Sequence, residues 1–360
     1  MKKIILTGGG TAGHIMPHIA LLPYLSSYFE IYYLGNSSGM ESELMKNYPN
    51  VKFVGINSVK FIRKLTLKNF LIPFKLLKYI KETRKILQKI KPDVIFAKGG
   101  AVSLPVVYAG KKLKIPILAH ESDVSFGLAN KLILRKCDVM FTSFRETCLN
   151  DKCVYSGSPV RNEIFKGNKS KAKNLCNFKN DLPVIMIFGG SMGAKRINEF
   201  IFANLENLKD FNIIHIVGKG NATNIYQNNY YQIEFTTSIF DFFALSDVVI
   251  CRAGSNSIFE LLALKIPMIL IPLAKKESRG DQLENAEVFK KNGYAKVIFE
   301  KDLEINNLKN KINYCLKNST AIKEKMNSYK ALDTNKLIFN YLINYAEGNK
   351  VLKIENLRSH

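Results

Sequence analysis

Cysteine is scarce. Six are scattered over 360 residues (Cys137, Cys148, Cys153, Cys176, Cys251 and Cys315) and none forms a Cys-x-x-Cys pair, which excludes a disulfide framework or a structural zinc site and fits a reducing compartment. Long apolar runs are missing too. None reaches the roughly 18 to 20 residues that cross a bilayer, so a soluble or peripheral protein is expected. Only Ile4 to Leu6 precede Thr7 and a glycine run, too little for the apolar part of a secretion signal. Acid is in short supply: 30 Asp and Glu stand against 53 Lys and Arg, a formal net charge of +23. That excess implies an anionic partner, or a surface solvated indiscriminately by lysine. The remainder is ordinary. With 47% hydrophobic residues, 23% charged and 22 glycines the chain is a folded one, and a single core stops growing near roughly 250 to 300 residues, so two domains are expected.

Short apolar runs punctuate the first half at Ile4 to Leu6, Ile31 to Leu34, Val94 to Ala97, Pro116 to Ala119 and Val139 to Thr142, with helix-like segments between them. The first run ends in Gly8, Gly9, Gly10 and Gly13 and leads into helical periodicity from Ile15 to Leu25. Such alternation predicts parallel α/β structure. At Val184 to Phe188 the opening pattern returns, followed by Gly189-Gly190-Ser191-Met192-Gly193-Ala194 and by runs at Ile213 to Val217, Val248 to Cys251 and Met268 to Ile271. A chain that restarts in this way predicts two doubly wound, Rossmann-like domains with parallel sheets, facing a central cleft. The boundary is expected within Ser158 to Asp181, which carries Lys166, Lys169, Lys171, Lys173 and Lys179 with no acid between them.

Gly8-Gly9-Gly10-Thr11-Ala12-Gly13 satisfies Gly-x-Gly-x-x-Gly behind a strand, where backbone amides and a helix N-terminus receive phosphate. A dinucleotide site also needs an acid at the end of the second strand to hold a ribose. Here that strand ends Leu34-Gly35-Asn36, and its counterpart ends Val217-Gly218-Lys219. Neither half has the acid, and no Gly-x-x-x-x-Gly-Lys-[Ser/Thr] occurs. Lys98-Gly99-Gly100-Ala101-Val102-Ser103 and Cys251-Arg252-Ala253-Gly254-Ser255-Asn256-Ser257 follow two further strands. Four strand ends thus admit close backbone approach, and a diphosphate fits such a set. Arg161 in Gly157-Ser158-Pro159-Val160-Arg161 offers a charged fork to phosphate, although a solvated linker charge reads the same way. The chain has no Asp-x-Asp, the usual carboxylate pair for a metal-bridged nucleotide diphosphate. Charge on a leaving diphosphate would then fall to helix N-termini and Arg161, and no metal is expected.

Several motifs occur in the order of one family: Thr7-Gly8-Gly9-Gly10-Thr11-Ala12-Gly13-His14 with Pro17, Lys98-Gly99-Gly100, His120-Glu121-Ser122 running to Asn130-Lys131, Gly157 to Arg161, Gly189 to Ala194, Cys251-Arg252-Ala253-Gly254 with Glu260, and Asp281-Gln282 with Asn285-Ala286. Over roughly residues 4 to 300 the chain resembles the MurG family of peripheral GT-B glycosyltransferases. The resemblance implies an acceptor- and membrane-binding domain at 1–161, to which a C-terminal helix at 336–360 returns, and a UDP-GlcNAc-binding domain at 162–335. It implies transfer of N-acetylglucosamine from UDP-GlcNAc, a donor substrate and not a cofactor, to the muramyl sugar of undecaprenyl-pyrophosphoryl-MurNAc-pentapeptide (lipid I), forming lipid II with inversion. The place implied is the cytoplasmic face of the bacterial cell membrane, with other cell-wall synthesis proteins as partners.

On the donor side the resemblance assigns Glu260 to the ribose, Ser191, Gly254, Ser255 and Asn256 to the diphosphate, Arg161 to a phosphate, Asp281, Gln282 and Asn285 to the sugar, and the stretch from Phe235 to Ile239 to the uracil. Thr11 and Gly13 are counted with the donor site, and Gly99, Gly100 and Asn130 with the acceptor. His14, at a helix start and with a reference pKa of about 6.5, is the candidate general base, and Glu121 its rival or an orienting partner. A helix-capping histidine is the plainer reading of His14. Ala12 and Met192 depart from the family, where glycine and glutamine are common.

Between Lys60 and Lys91 stand eleven Lys and Arg and one acid, Glu82. Interleaved apolar residues give Phe61 to Phe74 the character of a surface that docks on anionic lipid, with Phe61, Phe70, Ile72 and Phe74 as its contacts. From Lys78 to Lys89 a solvated amphipathic helix explains the pattern. Three other readings compete. A nicotinamide-linked dehydrogenase is opposed by the missing ribose acids. A GT-B UDP-GlcNAc 2-epimerase would need no lipid. A nucleic-acid binder rests on net charge alone, without a recognised motif, and nucleic acid is not an expected partner.

Overall fold

The computed structural model describes residues 1–59, 72–190, 193–275, 278–329 and 334–349. The chain divides into two compact units, 1–160 with the final segment from 331, and 161–330.

The first unit runs β1 (Lys2–Gly8), α1 (Ala12–Leu25), β2 (Phe29–Gly35), α2 (Met40–Met45), β3 (Val51–Gly55), α3 (Ile72–Ile90), β4 (Val94–Gly99), α4 (Ser103–Lys112), β5 (Ile117–Glu121), α5 (Leu128–Leu134), β6 (Val139–Thr142) and β7 (Cys153–Tyr155). Its strands form one seven-stranded sheet in the order β3-β2-β1-β4-β5-β6-β7, parallel throughout. Helices cover both faces, so central strands are buried on both sides and read as unbroken apolar runs. Every residue of β4 is buried. One core lies under α1, whose Ile15, Leu21 and Leu25 are fully buried, and the other under α3 to α5.

The second unit runs α6 (Lys169–Cys176), β8 (Val184–Phe188), α7 (Lys195–Ala203), β9 (Asn212–Ile216), β10 (Tyr230–Ile233), α8 (Ile239–Leu245), β11 (Val248–Cys251), α9 (Ser255–Leu264), β12 (Met268–Leu270), α10 (Asp281–Lys291), β13 (Ala295–Val297), α11 (Ile305–Lys317) and α12 (Ser319–Ser328). Its six-stranded sheet has the order β10-β9-β8-β11-β12-β13, again parallel. The lysine-rich stretch after Arg161 is a short polar helix, α6, held by buried Ala172 and Cys176 and capped by the Asn168 side chain on the amide of Lys171 at 2.9 Å.

A last helix, α13 (Thr334–Ala346), belongs to the first unit. It begins with the Thr334 hydroxyl donating to the Ser156 carbonyl at 2.6 Å and Asn335 Nδ2 donating to that of Val160 at 2.8 Å. Ile338 and Leu342 are fully buried in the α1 core, each contributing about 1.5–3 kcal/mol. The Tyr341 ring stands edge-on to Phe141 with centroids 5.3 Å apart. Of the helix expected at 336–360, the described helix ends at Ala346, residues 347–349 are not helical, and the part from 350 onward lies outside the described residues.

Candidate active site

Where the strand order of an open parallel sheet reverses, loops leaving two adjacent strands diverge to opposite faces and open a crevice at the carboxyl edge. The reversal lies between β1 and β4 in the first unit and between β8 and β11 in the second. These are the four strands whose ends carry the glycine sites.

In the second unit β8 runs into Gly189 and Gly190, the latter at φ +116°. Gly193, at φ +78°, stands where a Cβ would fall 2.2 Å from the Val217 carbonyl oxygen, so the turn itself demands that glycine. Ser191 lies outside the described residues. Beyond β11, Gly254 caps α9 at φ −71° and ψ 130°, values open to any residue, and a Cβ there would meet nothing within 4 Å. The chain does not need a glycine at this point. A side chain here would occupy only the space in front of the amides that open α9, where an anion is stabilised.

Glu260 lies farther along α9, and its Oε1 accepts from Arg161 Nε at 3.1 Å and from a terminal guanidinium nitrogen at 2.8 Å. The guanidinium rests 4.6 Å above the Phe240 ring. Burial holds the Glu260 carboxyl above its ordinary range, against the pull of Arg161. Two residues assigned to separate parts of a ligand are thus partners. Asn285, fully buried, donates to the Ala253 carbonyl at 3.2 Å and Gln282 Oε1 accepts from the Leu273 amide at 3.1 Å, so both brace the loops around the crevice. Asn285, expected at the sugar, has its side-chain nitrogen engaged in this way. Asp281 opens α10 behind Gly280, at φ +91°. Phe235 is largely exposed. Arg252, given no role from sequence, donates to the Ile271 carbonyl at 3.1 Å and pairs with buried Glu300 at 2.5 Å, locking the ends of β11 and β12 together.

In the first unit Thr11 is the exposed N-cap of α1, Gly13 faces solvent in its first turn, and His14 is half-buried. His14 Nδ1 lies 2.9 Å from the Gly9 carbonyl and 3.2 Å from the Thr11 hydroxyl. A carbonyl can only accept, so Nδ1 carries the proton and Nε2 keeps its lone pair. Burial lowers the pKa of this imidazole, assisted by the charge of Lys98 and opposed by the Gly9 carbonyl, Glu121 and Asp123. Across the crevice Gly99 and Gly100 have φ +96° and +80°. A Cβ on Gly100 would fall 2.5 Å from the Gly9 carbonyl oxygen, so the two turns meet backbone to backbone.

Glu121 is buried and its carboxylate is fully engaged. Oε1 accepts the amides of Ser122 at 2.8 Å and Asp123 at 3.1 Å, and Oε2 accepts the Gly127 amide at 3.0 Å and Asn130 Nδ2 at 2.9 Å. A carboxylate so bound pins a loop. Glu121, expected as a rival base or an orienting partner, braces this loop, and Asn130, itself buried, is a strut of the same loop. Lys98, unassigned by sequence reasoning, is buried at the end of β4, with Nζ 2.6 Å from His120 Nδ1 and donating also to the Ser122 hydroxyl. Burial draws its pKa down to about 8. His120 Nε2 donates to the Gly157 carbonyl at 3.0 Å, which leaves Nδ1 to accept from Lys98. A lysine between an apolar strand and two glycines was the available signal.

Of the lipid-facing residues expected, Phe61 and Phe70 lie outside the described residues. Ile72 and Phe74 open α3, where Phe74 is 71% and Leu77 59% exposed. Farther on, Ile80, Thr83, Leu87 and Ile90 face the core and the lysines are solvated. Among the described residues no helix is long and apolar enough to cross a membrane, and no group of His, Cys, Asp or Glu is gathered to hold a metal ion.

Residues 4–142 match the glycosyltransferase family 28 N-terminal domain and residues 184–339 its C-terminal domain. Over 349 residues, 95% of this chain and 97% of the relative, the chain is 48% identical to the UDP-N-acetylglucosamine--N-acetylmuramyl-(pentapeptide) pyrophosphoryl-undecaprenol N-acetylglucosamine transferase of Clostridium botulinum (strain Alaska E43 / Type E3). Among solved structures it is similar to MurG of Acinetobacter baumannii, with a TM-score of 0.77 at 23% identity, covering 96% of this chain and 100% of that one. The UDP-GlcNAc 2-epimerase of Neisseria meningitidis is also similar, with a TM-score of 0.65 at 14% identity, covering 96% and 100%. At those identities the two structures speak for the architecture alone.

Proposed function

The chain belongs to the MurG family, within glycosyltransferase family 28, and from that premise we propose how its two units divide the reaction. The reaction is transfer of N-acetylglucosamine from UDP-GlcNAc to the muramyl sugar of undecaprenyl-pyrophosphoryl-MurNAc-pentapeptide, forming lipid II. The donor belongs to the second unit. Its diphosphate lies against the amides that open α9, in the space Gly254 leaves, and its ribose hydroxyls meet Glu260. The pairing of Glu260 with Arg161 is compatible with both roles. A guanidinium has five N–H donors, two of which are spent on Oε1, leaving others for a phosphate and leaving Oε2 for the ribose. Asp281 and the Gln282 amide nitrogen are directed to the sugar.

The acceptor belongs to the first unit, between the turn after β1 and the turn after β4. Neutral His14, its Nδ1–H held by Gly9, takes the muramyl hydroxyl proton on Nε2. The hydroxyl oxygen forms its bond to the anomeric carbon as the bond from that carbon to the UDP oxygen breaks. Direct displacement inverts configuration. The leaving charge is met by the α9 N-terminus and Arg161, and with no Asp-x-Asp in the chain turnover is expected to persist in excess EDTA. Exposed Phe74 and Leu77, set among lysines on α3, dock on anionic lipid at the cytoplasmic face, where the acceptor's polyprenyl tail resides.

The observation that carries this reading is the open-faced Gly254 at the helix start beside the β8/β11 reversal. The test is incubation with labelled UDP-GlcNAc and a synthetic polyprenyl-diphospho-muramyl pentapeptide. A labelled disaccharide lipid is expected, and its absence, or epimerised sugar nucleotide without lipid product, rejects the reading.

A further inference from the structure

The first unit has the outline of a nucleotide-binding turn, yet an anion of its own already sits in it. Glu41, in the first turn of α2, is 1% exposed. Its Oε2 accepts the Gly10 amide at 3.2 Å and its Oε1 the Asn36 amide at 2.9 Å. Gly10 belongs to the turn after β1, and Asn36 follows β2, where a dinucleotide fold keeps its ribose acid. Glycines make the room. A Cβ on Gly9, Gly35 or Gly39 would fall between 2.3 and 2.6 Å from an atom of the Glu41 side chain. Three chain segments thus give up side chains around one carboxylate that two amides grip, and the transfer chemistry does not use it.

We propose that Glu41 is a built-in substitute for phosphate, filling the anion position of the first glycine turn, keeping nucleoside diphosphates off the first unit and reserving it for the hydroxyl-bearing acceptor. This rests on the division of labour proposed above. An approaching phosphate finds the Gly10 amide taken and a negative charge behind it. The turn that sequence reasoning offers to phosphate is therefore closed at Gly10, and the acceptor's own diphosphate must be seated on other groups.

Glu41→Ala removes a methylene and a carboxylate, the shape of acetate, so acetate is the probe. Saturating acetate is expected to raise the melting temperature of Glu41→Ala by about 5 °C, with no such rise for chloride at equal ionic strength, for the wild type, or for Glu41→Asp. Calorimetric titration with UDP is expected to give one site per chain in the wild type and a second, weaker one in Glu41→Ala. Equal stabilisation of wild type and variant by acetate overturns the substitution, and a single UDP site in both proteins overturns the exclusion. Should Glu41→Ala fail to fold unaided, its refolding yield from urea decides: recovery with acetate but not chloride supports the proposal, and equal recovery refutes it. Failure of the wild type to bind UDP at all would count against the transferase reading, while the acetate result would still judge Glu41.

Discussion

His14 and Glu121 show how much a single side chain's partners decide. Both stand in motifs that sequence order singles out, yet His14 keeps an unengaged ring nitrogen while every Glu121 lone pair facing the loop is spoken for. His14→Ala should therefore lower kcat by roughly 10²–10⁴ with little change in UDP-GlcNAc affinity, measured by steady-state kinetics alongside donor titration. Because burial lowers the His14 pKa, the proposed base is unprotonated over a wider range than free imidazole. The acid limb of kcat/KM should lie below about pH 6.5 and should remain in Glu121→Gln. Disappearance of that limb in Glu121→Gln would restore the carboxylate as base. Motif order marks these positions as candidates, but it does not show what they bind. The Arg161–Glu260 pair spans 99 residues of chain and Glu41 reaches back 31 to Gly10, and no local spacing announces either bond.

Strands show a similar divide. Every interior strand of both sheets coincides with an apolar run in the sequence, and the four without one, β3, β7, β10 and β13, are the four sheet edges. Edge strands are half solvated, as the mixed burial of Val51–Gly55 and Tyr230–Ile233 shows, so no apolar run marks them. Gly254→Ala should leave the melting temperature nearly unchanged, since the added Cβ meets no protein atom, while raising the KM for UDP-GlcNAc about tenfold, the cost of one displaced charge-assisted bond. A KM unchanged in Gly254→Ala would move the diphosphate away from α9. On α3, Phe74→Asp with Leu77→Asp should abolish sedimentation with anionic vesicles while sparing the core face at Ile80 and Leu87. Undiminished sedimentation would leave the helix as a solvated surface.

For the molecule as a whole, a buried imidazole in each unit couples stability to pH. His18 in the first unit and His215 in the second are held neutral by burial, with pKa values of about 3. An unfolded histidine titrates near 6.5, so as pH falls below that value the unfolded chain takes up protons the native one refuses, and stability is lost progressively down to the folded pKa. At about pH 5 each of the two costs ~2 kcal/mol. Urea unfolding at about pH 7.5 and about pH 5 should show both units weakened in acid, and a midpoint that rose on acidification would contradict the assignment. The net charge of +23 suits a chain whose donor and acceptor are anionic and whose proposed docking surface is anionic lipid. The proposed mechanism requires a sugar nucleotide gripped by main-chain amides in the second unit. A crystal structure with UDP-GlcNAc tests it most directly: diphosphate oxygens within hydrogen-bonding distance of the Ser255 and Asn256 amides, with the ribose against Glu260, are predicted, and a diphosphate lying on the Gly8–Gly10 turn of the first unit would contradict it.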